Sequence, residues 1–261
     1  MAELLGREYF AAKDREFLKE AFSEIVDEVT LTIVRKPPSR IILLGGTGSG
    51  GAGPDDDGGE LVTVVLKELA TTSPKLRIVE VDATAEPERA QALVGDILPA
   101  TVLSSANAKG KLVFYGIPAG HEMAALISTI VELGLVLDTV PPEVGERIRA
   151  LPAPVHLKVF VTPTCPHCPA MARAAFQLAM YFPNVRADVI EIQEFPELAQ
   201  QYQVQGVPKT VINEKGAIMG AVPGGVLIEA IEATANGTFP EGKQLVYEGD
   251  APDGGSDGTP A

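Results

Sequence analysis

The segment VFVTPTCPHCPAMARAAF, residues 159–176, contains both cysteines of this 261-residue chain. An apolar strand-like run ends in a turn, the turn carries Cys-x-x-Cys, and a helix-like run begins at the cysteines. Two thiols this close in sequence make a poor structural crosslink, because the loop that they close is very small. The pattern therefore predicts chemistry at Cys165 and Cys168.

The position of the pair at a helix start indicates what this chemistry is. We expect Cys165 at or near the helix N-cap, where free N–H groups and the helix dipole stabilise a thiolate and lower its pKa. Cys168 would then lie against the first turn, where the two sulfurs can bond. His167 can donate an N–H or place positive charge beside the sulfur, and Pro166 stiffens the turn. A stabilised thiolate favours the dithiol form, so Pro166 and His167 predict a relatively oxidising disulfide.

A zinc site is the main alternative for a Cys-x-x-Cys pair. A structural zinc ion takes four ligands, usually including a second cysteine pair. The chain has no other cysteine, and His121 and His156 are isolated in the sequence. A metal shared between two chains stays open. Within one chain we predict no metal site, and no cofactor other than the redox-active disulfide.

A proline further along the chain predicts a second part of the site. Pro208 follows YQVQGV and precedes an apolar strand-like run. If the Val207–Pro208 bond is cis, the turn could stand beside the sulfur of Cys165, and Val207 would offer its N–H and C=O to an extended substrate segment. The alternative is an ordinary proline at the start of a strand.

The chain shows one order of strand-like and helix-like runs twice. A leader helix over residues 13–27 places Phe17, Ala21, Phe22 and Ile25 on one face. Each half then follows the order β-α-β-α-β-β-α, although in the first half two strand-like runs, VTLTIV and RIILL, precede the first helix. Pro99 opens PATVL as Pro208 opens PKTVI. The fold class predicted is α/β, with a mixed sheet flanked by helices in each half.

We divide the chain into two units and a tail. The first unit is residues 1–145 with the leader helix, and the second is residues 146–238. A short helix is expected in the bridge PPEVGERIRALPAP, residues 141–154. The acidic, glycine-rich tail at residues 239–261 is predicted to be disordered.

The loop GGTGSGGAGPDDDGG, residues 45–59, matches a dinucleotide-binding pattern through Gly46, Gly48 and Gly51. The three aspartates at 55–57 would repel phosphate, and the Lys-Ser/Thr of a P-loop is absent. We therefore predict no nucleotide site in this loop.

Composition excludes several classes of partner. The formal net charge of −14 argues against nucleic acid, which requires a basic surface. No apolar run is long enough to span a bilayer, so no membrane association is expected. The amino terminus, MAELLGREYFAAKDREFLKE, is charged throughout and lacks the apolar core of a secretory signal, so a cytoplasmic location is expected.

The chain resembles the protein disulfide oxidoreductases built from two tandem glutaredoxin-like (thioredoxin-fold) units, over about residues 13–236. The segments that carry the resemblance are VFVTPTCPHCP, EFPELAQQYQVQGVPKTVIN and YGIPAGHEMAALI. It implies that Cys165 is the attacking thiol and Cys168 the resolving thiol. It also implies that Pro208 is a cis-proline and that Val207 pairs with the substrate backbone.

The resemblance also suggests a proton shuttle, since members of the family often carry a buried carboxylate. The candidates are Glu191 and Glu194, and the alternative for each is a solvated loop acid.

The chain departs from the family in its first half, which has no cysteine between residues 1 and 164. Family members often have a second Cys-x-x-Cys where this chain has the loop at 45–59. We interpret the loop as a replacement for a lost redox turn and the first unit as a redox-inactive scaffold.

The predicted function is thiol–disulfide exchange with protein or small-molecule thiols through the single CPHC pair. One alternative is a dedicated electron carrier between a flavoprotein reductase and a peroxidase. The doubled unit also resembles the amino-terminal carrier part of peroxide-reducing flavoproteins. Another alternative is a non-catalytic module that binds peptides at the Pro208 turn.

Overall fold

The structure is a computed structural model that describes residues 9–37, 58–135, 140–240 and 244–246. The helices in these ranges are α1 (Ala12–Ser23), α2 (Gly59–Ala70), α3 (Pro87–Val94), α4 (Gly120–Gly134), α5 (Pro142–Arg149), α6 (Cys168–Tyr181), α7 (Pro196–Gln201) and α8 (Gly224–Ala235). The strands are β1 (Val29–Arg35), β2 (Leu76–Asp82), β3 (Ala100–Ser105), β4 (Lys111–Tyr115), β5 (Val155–Val161), β6 (Val185–Glu191), β7 (Lys209–Ile212), β8 (Gly216–Met219) and β9 (Gln244–Val246).

The strands described form one mixed sheet in the order β2-β1-β3-β4-β6-β5-β7-β8-β9. In the first half, β1 runs parallel to β2 and antiparallel to β3, and β3 forms a hairpin with β4. In the second half, β5 runs parallel to β6 and antiparallel to β7, and β7 forms a hairpin with β8. The repeated order confirms the predicted α/β class with a mixed sheet in each half.

The two halves join edge to edge. Strand β4 runs parallel to β6, and the paired segments are Lys111–Tyr115 and Arg186–Ile190. The sequence pattern predicted a sheet in each half but not this continuous pairing, because no local signal marks which edge strands will meet.

Helices cover both faces of the sheet. The larger core packs α1, α2, α4, α6 and α8 against one face, and the smaller core packs α3 and α7 against the other. Strand β5 lies near the middle of the second half, and its last three residues, Val159, Phe160 and Val161, are all buried. A continuous apolar run of this kind is typical of a strand covered on both faces.

The leader helix is present, but its buried face differs from the predicted one. Phe17 is 65% exposed, whereas Leu18, Phe22 and Ile25 are buried. Residues 18, 22 and 25 follow the i, i+4, i+7 spacing of a helical stripe. The prediction was therefore wrong at Phe17, where the neighbouring Leu18 is buried instead, whereas Phe22 and Ile25 are buried as predicted and Ala21 is partly buried.

The predicted tail contains a strand. Gln244–Val246 forms β9 and runs parallel to β8, so the prediction of disorder from residue 239 onward was wrong for this segment. The three-residue segment is too short for an alternating pattern to stand out. The remaining part of the tail from 247 lies outside the described residues, as do the strand-like run RIILL and residues 45–57 of the glycine-rich loop.

The bridge between the halves forms α5, as expected. A division at residue 145 would fall inside this helix, and Arg147 of α5 makes two hydrogen bonds of 2.7 Å to Glu232 of α8. Helix α5 therefore contacts the second half, and the domain boundary stays a prediction.

Candidate active site

The two cysteines form a disulfide at the start of α6, with their Cα atoms 5.5 Å apart. Strand β5 ends at Val161, and a turn closed by the Cys165 N–H and the carbonyl of Thr162 (3.1 Å) carries the chain to the pair. Cys165 keeps 8% of its surface exposed, whereas Cys168 is fully buried. An incoming thiol can therefore approach the disulfide at Cys165.

Cys165 lies just before the N-cap residue of α6. Helix α6 begins at Cys168 with His167 as its N-cap residue, and Pro169 occupies the first turn, where a proline is well tolerated. Cys165 nevertheless receives an N–H from the helix start, because the Cys168 N–H donates to its Sγ atom at 3.1 Å. This donor would stabilise negative charge on the same sulfur after reduction.

Pro166 and His167 occupy the turn between the cysteines, and both are exposed. Their predicted effect on the redox potential stays a prediction.

The proline turn lies beside the disulfide. The Val207–Pro208 bond is cis, and the carbonyl oxygen of Val207 is 3.7 Å from the Sγ atom of Cys165. The Pro208 carbonyl accepts a hydrogen bond of 2.8 Å from the Gly220 N–H. This geometry agrees with the predicted cis turn rather than an ordinary strand-starting proline. The binding of substrate backbone by Val207 stays a prediction.

The first half repeats this turn without the cysteines. The Leu98–Pro99 bond is also cis, and the Pro99 carbonyl accepts the Gly116 N–H at 2.9 Å. The helix equivalent to α6 is α2, which begins at Gly59 after Gly58. The backbone of a thioredoxin-like turn is thus retained in a half that has no thiol.

The two carboxylates predicted as proton shuttles lie in different surroundings. Glu191 is buried at the end of β6 beside Val161, and burial raises the pKa of its carboxyl group. Its carboxylate accepts the N–H groups of Gln193 and Glu194 at 3.2 Å each. Glu194 is partly exposed and accepts the Ile117 N–H from the first half at 2.8 Å. The shuttle role of each carboxylate stays a prediction.

A third carboxylate, Glu122, was missed in the sequence. It lies in the first turn of α4 and is fully buried, and neither oxygen has a hydrogen-bond partner in the described part of the chain. Burial, with a smaller contribution from the charge of Glu191, raises the pKa of Glu122 to about 8. Glu122 is therefore mostly protonated at neutral pH. The spacing of Glu122, Leu126 and Ile130 places it on the apolar stripe of α4, which was the available signal.

The described residues contain no group of three or more His, Cys, Asp or Glu side chains arranged to hold a metal ion. The zinc ligands considered from the sequence are dispersed. His156 contacts Asp188 at 2.6 Å, and the Gly120–His121 segment lies at the start of α4. Among these same residues, no helix combines the length and apolar character needed to cross a bilayer.

The disulfide lies at a helix start beside a proline turn, in a mixed sheet whose strand order occurs in both halves of the chain. These features define a thiol–disulfide oxidoreductase of the thioredoxin fold. The chain belongs to the thioredoxin family: the thioredoxin domain matches residues 155–233. It is also 37% identical over 79 residues to a thioredoxin of Methanocaldococcus jannaschii, covering 30% of this chain and 93% of that protein.

Two solved structures match the doubled architecture. The alkylhydroperoxide reductase AhpF of Enterococcus faecalis (a C503A mutant) is 26% identical, with a TM-score of 0.72, and the match covers 86% of this chain and 100% of that one. A protein disulfide oxidoreductase of Aeropyrum pernix has the same fold, with a TM-score of 0.72 and 21% identity, covering 88% of this chain and 95% of that one. The tandem thioredoxin-fold units implied by the sequence are therefore confirmed.

The curated alkyl hydroperoxide reductases are much longer than the matching region. The match to the F subunit of the Pseudomonas putida enzyme is 29% identical over 122 residues, which is 47% of this chain and 23% of that protein.

Proposed function

We propose that this chain exchanges disulfides with thiol substrates through Cys165 and Cys168, with no cofactor beyond this pair. The observation that carries the proposal is the environment of the Cys165 sulfur. It retains access to the surface, lies 3.7 Å from the Val207 carbonyl and receives the Cys168 N–H. These three features support roles for this sulfur's surroundings in substrate access, backbone docking and thiolate stabilisation.

In the oxidising direction, a substrate thiolate attacks the Cys165 sulfur. A bond forms between these two sulfurs, the Cys165–Cys168 bond breaks, and Cys168 leaves as a thiolate that takes up a proton. A second substrate thiolate then attacks the substrate sulfur of the mixed disulfide and releases Cys165. The substrate loses two electrons and the cysteine pair gains two. In the reducing direction, Cys165 attacks and Cys168 resolves.

Val207 and three carboxyl groups complete the proposed site. The backbone N–H and C=O of Val207 would pair with an extended substrate segment beside the sulfur, as in one rung of a β-ladder. Glu191 and Glu194 remain candidates for proton transfer. Glu122 joins them because it is buried and carries a proton at neutral pH.

The proposal is tested by the reduction of insulin disulfides with dithiothreitol as electron source. The wild-type chain should accelerate the reaction, and Cys165→Ser should abolish the acceleration. The matched control is Thr164→Ser, which changes an exposed neighbour of the pair and should retain activity. Full activity of the Cys165→Ser variant would overturn the assignment of the attacking sulfur.

A second candidate function is electron transfer between a flavoprotein reductase and a peroxidase. It is favoured by the match over 86% of this chain to the alkylhydroperoxide reductase AhpF. In this function the partner disulfides belong to two dedicated proteins rather than to a range of substrates. A purified flavoprotein disulfide reductase, supplied with NADH, should reduce the Cys165–Cys168 disulfide faster than dithiothreitol does. The reduced chain should then reduce the disulfide of a peroxidase. Equal rates with unrelated disulfide substrates would favour general exchange.

The non-catalytic peptide-binding module is less well supported, since the intact disulfide gives the chain a redox couple. A titration against glutathione buffers separates disulfide exchange from non-catalytic peptide binding. An exchange protein should convert reversibly between dithiol and disulfide, whereas a peptide clamp would bind equally well in both states.

A further inference from the structure

The turn that leads to Cys165 is held by a helix from the other half of the chain. This turn runs from Thr162 to Cys165, and Pro163 lies within it. The Pro163 carbonyl accepts a hydrogen bond of 2.9 Å from the His121 N–H at the start of α4. Gly120, the first residue of the helix, directly precedes this donor.

Gly120 permits this contact because it has no side chain. A Cβ atom at this position would overlap the Pro163 carbonyl oxygen and would lie 3.1 Å from the carbonyl carbon. The backbone at Gly120 also has a φ of +53°, a conformation that side-chain-bearing residues rarely adopt. Any larger residue would have to displace either the helix start or the turn before Cys165.

The same helix is also attached to α6. Glu132 of α4 forms an ion pair with Arg173 and accepts a hydrogen bond of 3.0 Å from Gln177, and both partners lie on α6. Helix α4 therefore contacts the turn before Cys165 and the helix that begins with Cys168. It can fix the two sulfur-bearing segments relative to each other.

The corresponding helix start in the second half has no close contact like that between Gly120 and the Pro163 carbonyl. Gly224 begins α8 at the corresponding place in the repeat, and a Cβ atom there would have no neighbour within 4 Å. The close approach at Gly120 thus belongs to the junction between the two halves.

We propose that Gly120 is a positioning residue for thiol–disulfide exchange: the cysteine-free half holds the Cys165 turn in its reactive position through the Gly120–His121 backbone. This inference rests on the proposed function of the Cys165–Cys168 pair. It gives the first half a direct part in the chemistry of the second.

The first test compares Gly120→Ala with two control variants, Gly95→Ala and Gly224→Ala, each in the full chain. Gly120→Ala should displace the turn, so Cys165 loses its placement against the Cys168 N–H. The midpoint of the pH profile of Cys165 alkylation by iodoacetamide should then rise by about one pH unit. At a pH at least one unit below the wild-type midpoint, the rate at which the reduced chain reduces a small aromatic disulfide should fall by up to about tenfold. The thiolate fraction falls about tenfold there, and the higher nucleophilicity of the remaining thiolate offsets part of this loss.

Two controls separate positioning from general destabilisation. Gly95→Ala introduces a side chain at a φ of +79° with no neighbouring atom within 4 Å, and Gly224→Ala introduces one at a helix start that is equally open. Gly95→Ala should lower the thermal unfolding midpoint but leave the alkylation profile unchanged. Gly224→Ala should leave the profile unchanged as well. A folded Gly120→Ala variant with the wild-type profile and exchange rate would overturn the proposal.

A second pair of variants keeps the question answerable if Gly120→Ala does not fold. His121→Pro removes the N–H donor and places its ring Cδ atom against the Pro163 carbonyl oxygen, so the turn must move, whereas His121→Ala retains the donor and removes only the exposed imidazole. His121→Pro should shift the alkylation profile upward, and His121→Ala should not. Identical profiles for the two variants would contradict the role of the Pro163 hydrogen bond.

These results can be distinguished from a failure of the proposed function. If the wild-type chain fails to reduce insulin disulfides, the exchange function is wrong, yet the alkylation profile still reports the placement of Cys165. If the wild-type chain is active and the Gly120 and His121 variants match it, only the positioning role is wrong.

Discussion

Glu122 and Glu191 are buried carboxylic acids from different halves of the chain, and the charge of Glu191 contributes to the raised pKa of Glu122. Glu122 belongs to the last helix of the first half, and Glu191 ends a strand of the second half. At the junction between the halves, the carboxyl group of Glu122 is therefore mostly protonated at neutral pH. Deprotonation would leave two buried negative charges near each other, which is unfavourable in an apolar environment.

The first prediction concerns the pH dependence of stability. Between pH 5 and pH 8, folded Glu122 retains a proton that the unfolded chain releases, so its contribution to the free energy of unfolding falls as the pH rises. The slope is at most about 1.4 kcal/mol per pH unit. Glu122→Gln removes this titration, and its stability relative to wild type should increase from pH 5.5 to pH 8.5 in urea unfolding experiments.

The control for this experiment is Glu197→Gln, which neutralises an exposed acid on α7. Its stability curve should follow that of the wild type. If the curves of Glu122→Gln and wild type also run parallel between pH 5.5 and pH 8.5, the protonated state of Glu122 is wrong.

The second prediction separates the roles of the two sulfurs. Cys168→Ser leaves Cys165 able to attack a substrate disulfide but removes the resolving thiol, so mixed disulfides should accumulate. They should appear as higher-mass bands that disappear on addition of dithiothreitol. The Cys165→Ser variant retains only the fully buried Cys168 and should form few such bands. Equal trapping by both variants would show that Cys168 is also accessible.

The third prediction tests the buried face of the leader helix. Phe22 is 2% exposed and Phe17 is 65% exposed. Phe22→Ala should lower the free energy of unfolding by about 3–5 kcal/mol, the usual cost of removing a buried aromatic side chain. Phe17→Ala should change it by less than about 0.5 kcal/mol, as expected for a surface substitution. Chemical denaturation of both variants measures this difference, and comparable losses would restore the face predicted from the sequence.

The fourth prediction concerns the contact between α5 and α8. Arg147 and Glu232 are joined by two parallel hydrogen bonds, a geometry in which a surface ion pair contributes measurably to the free energy of unfolding. Arg147 also lowers the pKa of Glu232. A double-mutant cycle with Arg147→Ala and Glu232→Ala should give a coupling of about 0.5–1 kcal/mol at neutral pH. Because the folded pKa of Glu232 is lowered, the coupling should disappear as the pH falls below its ordinary range. A coupling that persists in acid or in high salt would contradict an ionic origin.

The order of elements and the reactive pair were predictable because their signals are local. Apolar runs, glycine turns and the Cys-x-x-Cys spacing each occupy a few consecutive residues, and the repeated Pro99 and Pro208 turns indicated two related halves. The choice between Phe17 and Leu18 as buried residue could not be made locally, since it depends on how α1 is rotated against the sheet. Strand β9 was missed because a three-residue segment shows no period.

The contacts between the halves were the least predictable part of the site. Glu122 lies on an apolar stripe, but its neighbour Glu191 is far away in the sequence and comes close only through the pairing of β4 with β6. The contact of Gly120 with Pro163 likewise depends on how the halves are placed side by side. Neither relationship leaves a motif within one segment of the chain.

The pairing of β4 with β6 also determines what a shortened chain would expose. A fragment that kept only the second half would leave the Arg186–Ile190 edge without its neighbour, and this strand carries the apolar residues Ala187, Val189 and Ile190. An uncovered, apolar strand edge is a template for intermolecular aggregation. In the intact chain, β4 of the cysteine-free half pairs with this edge, so the first half covers a backbone edge that the redox unit alone would leave open.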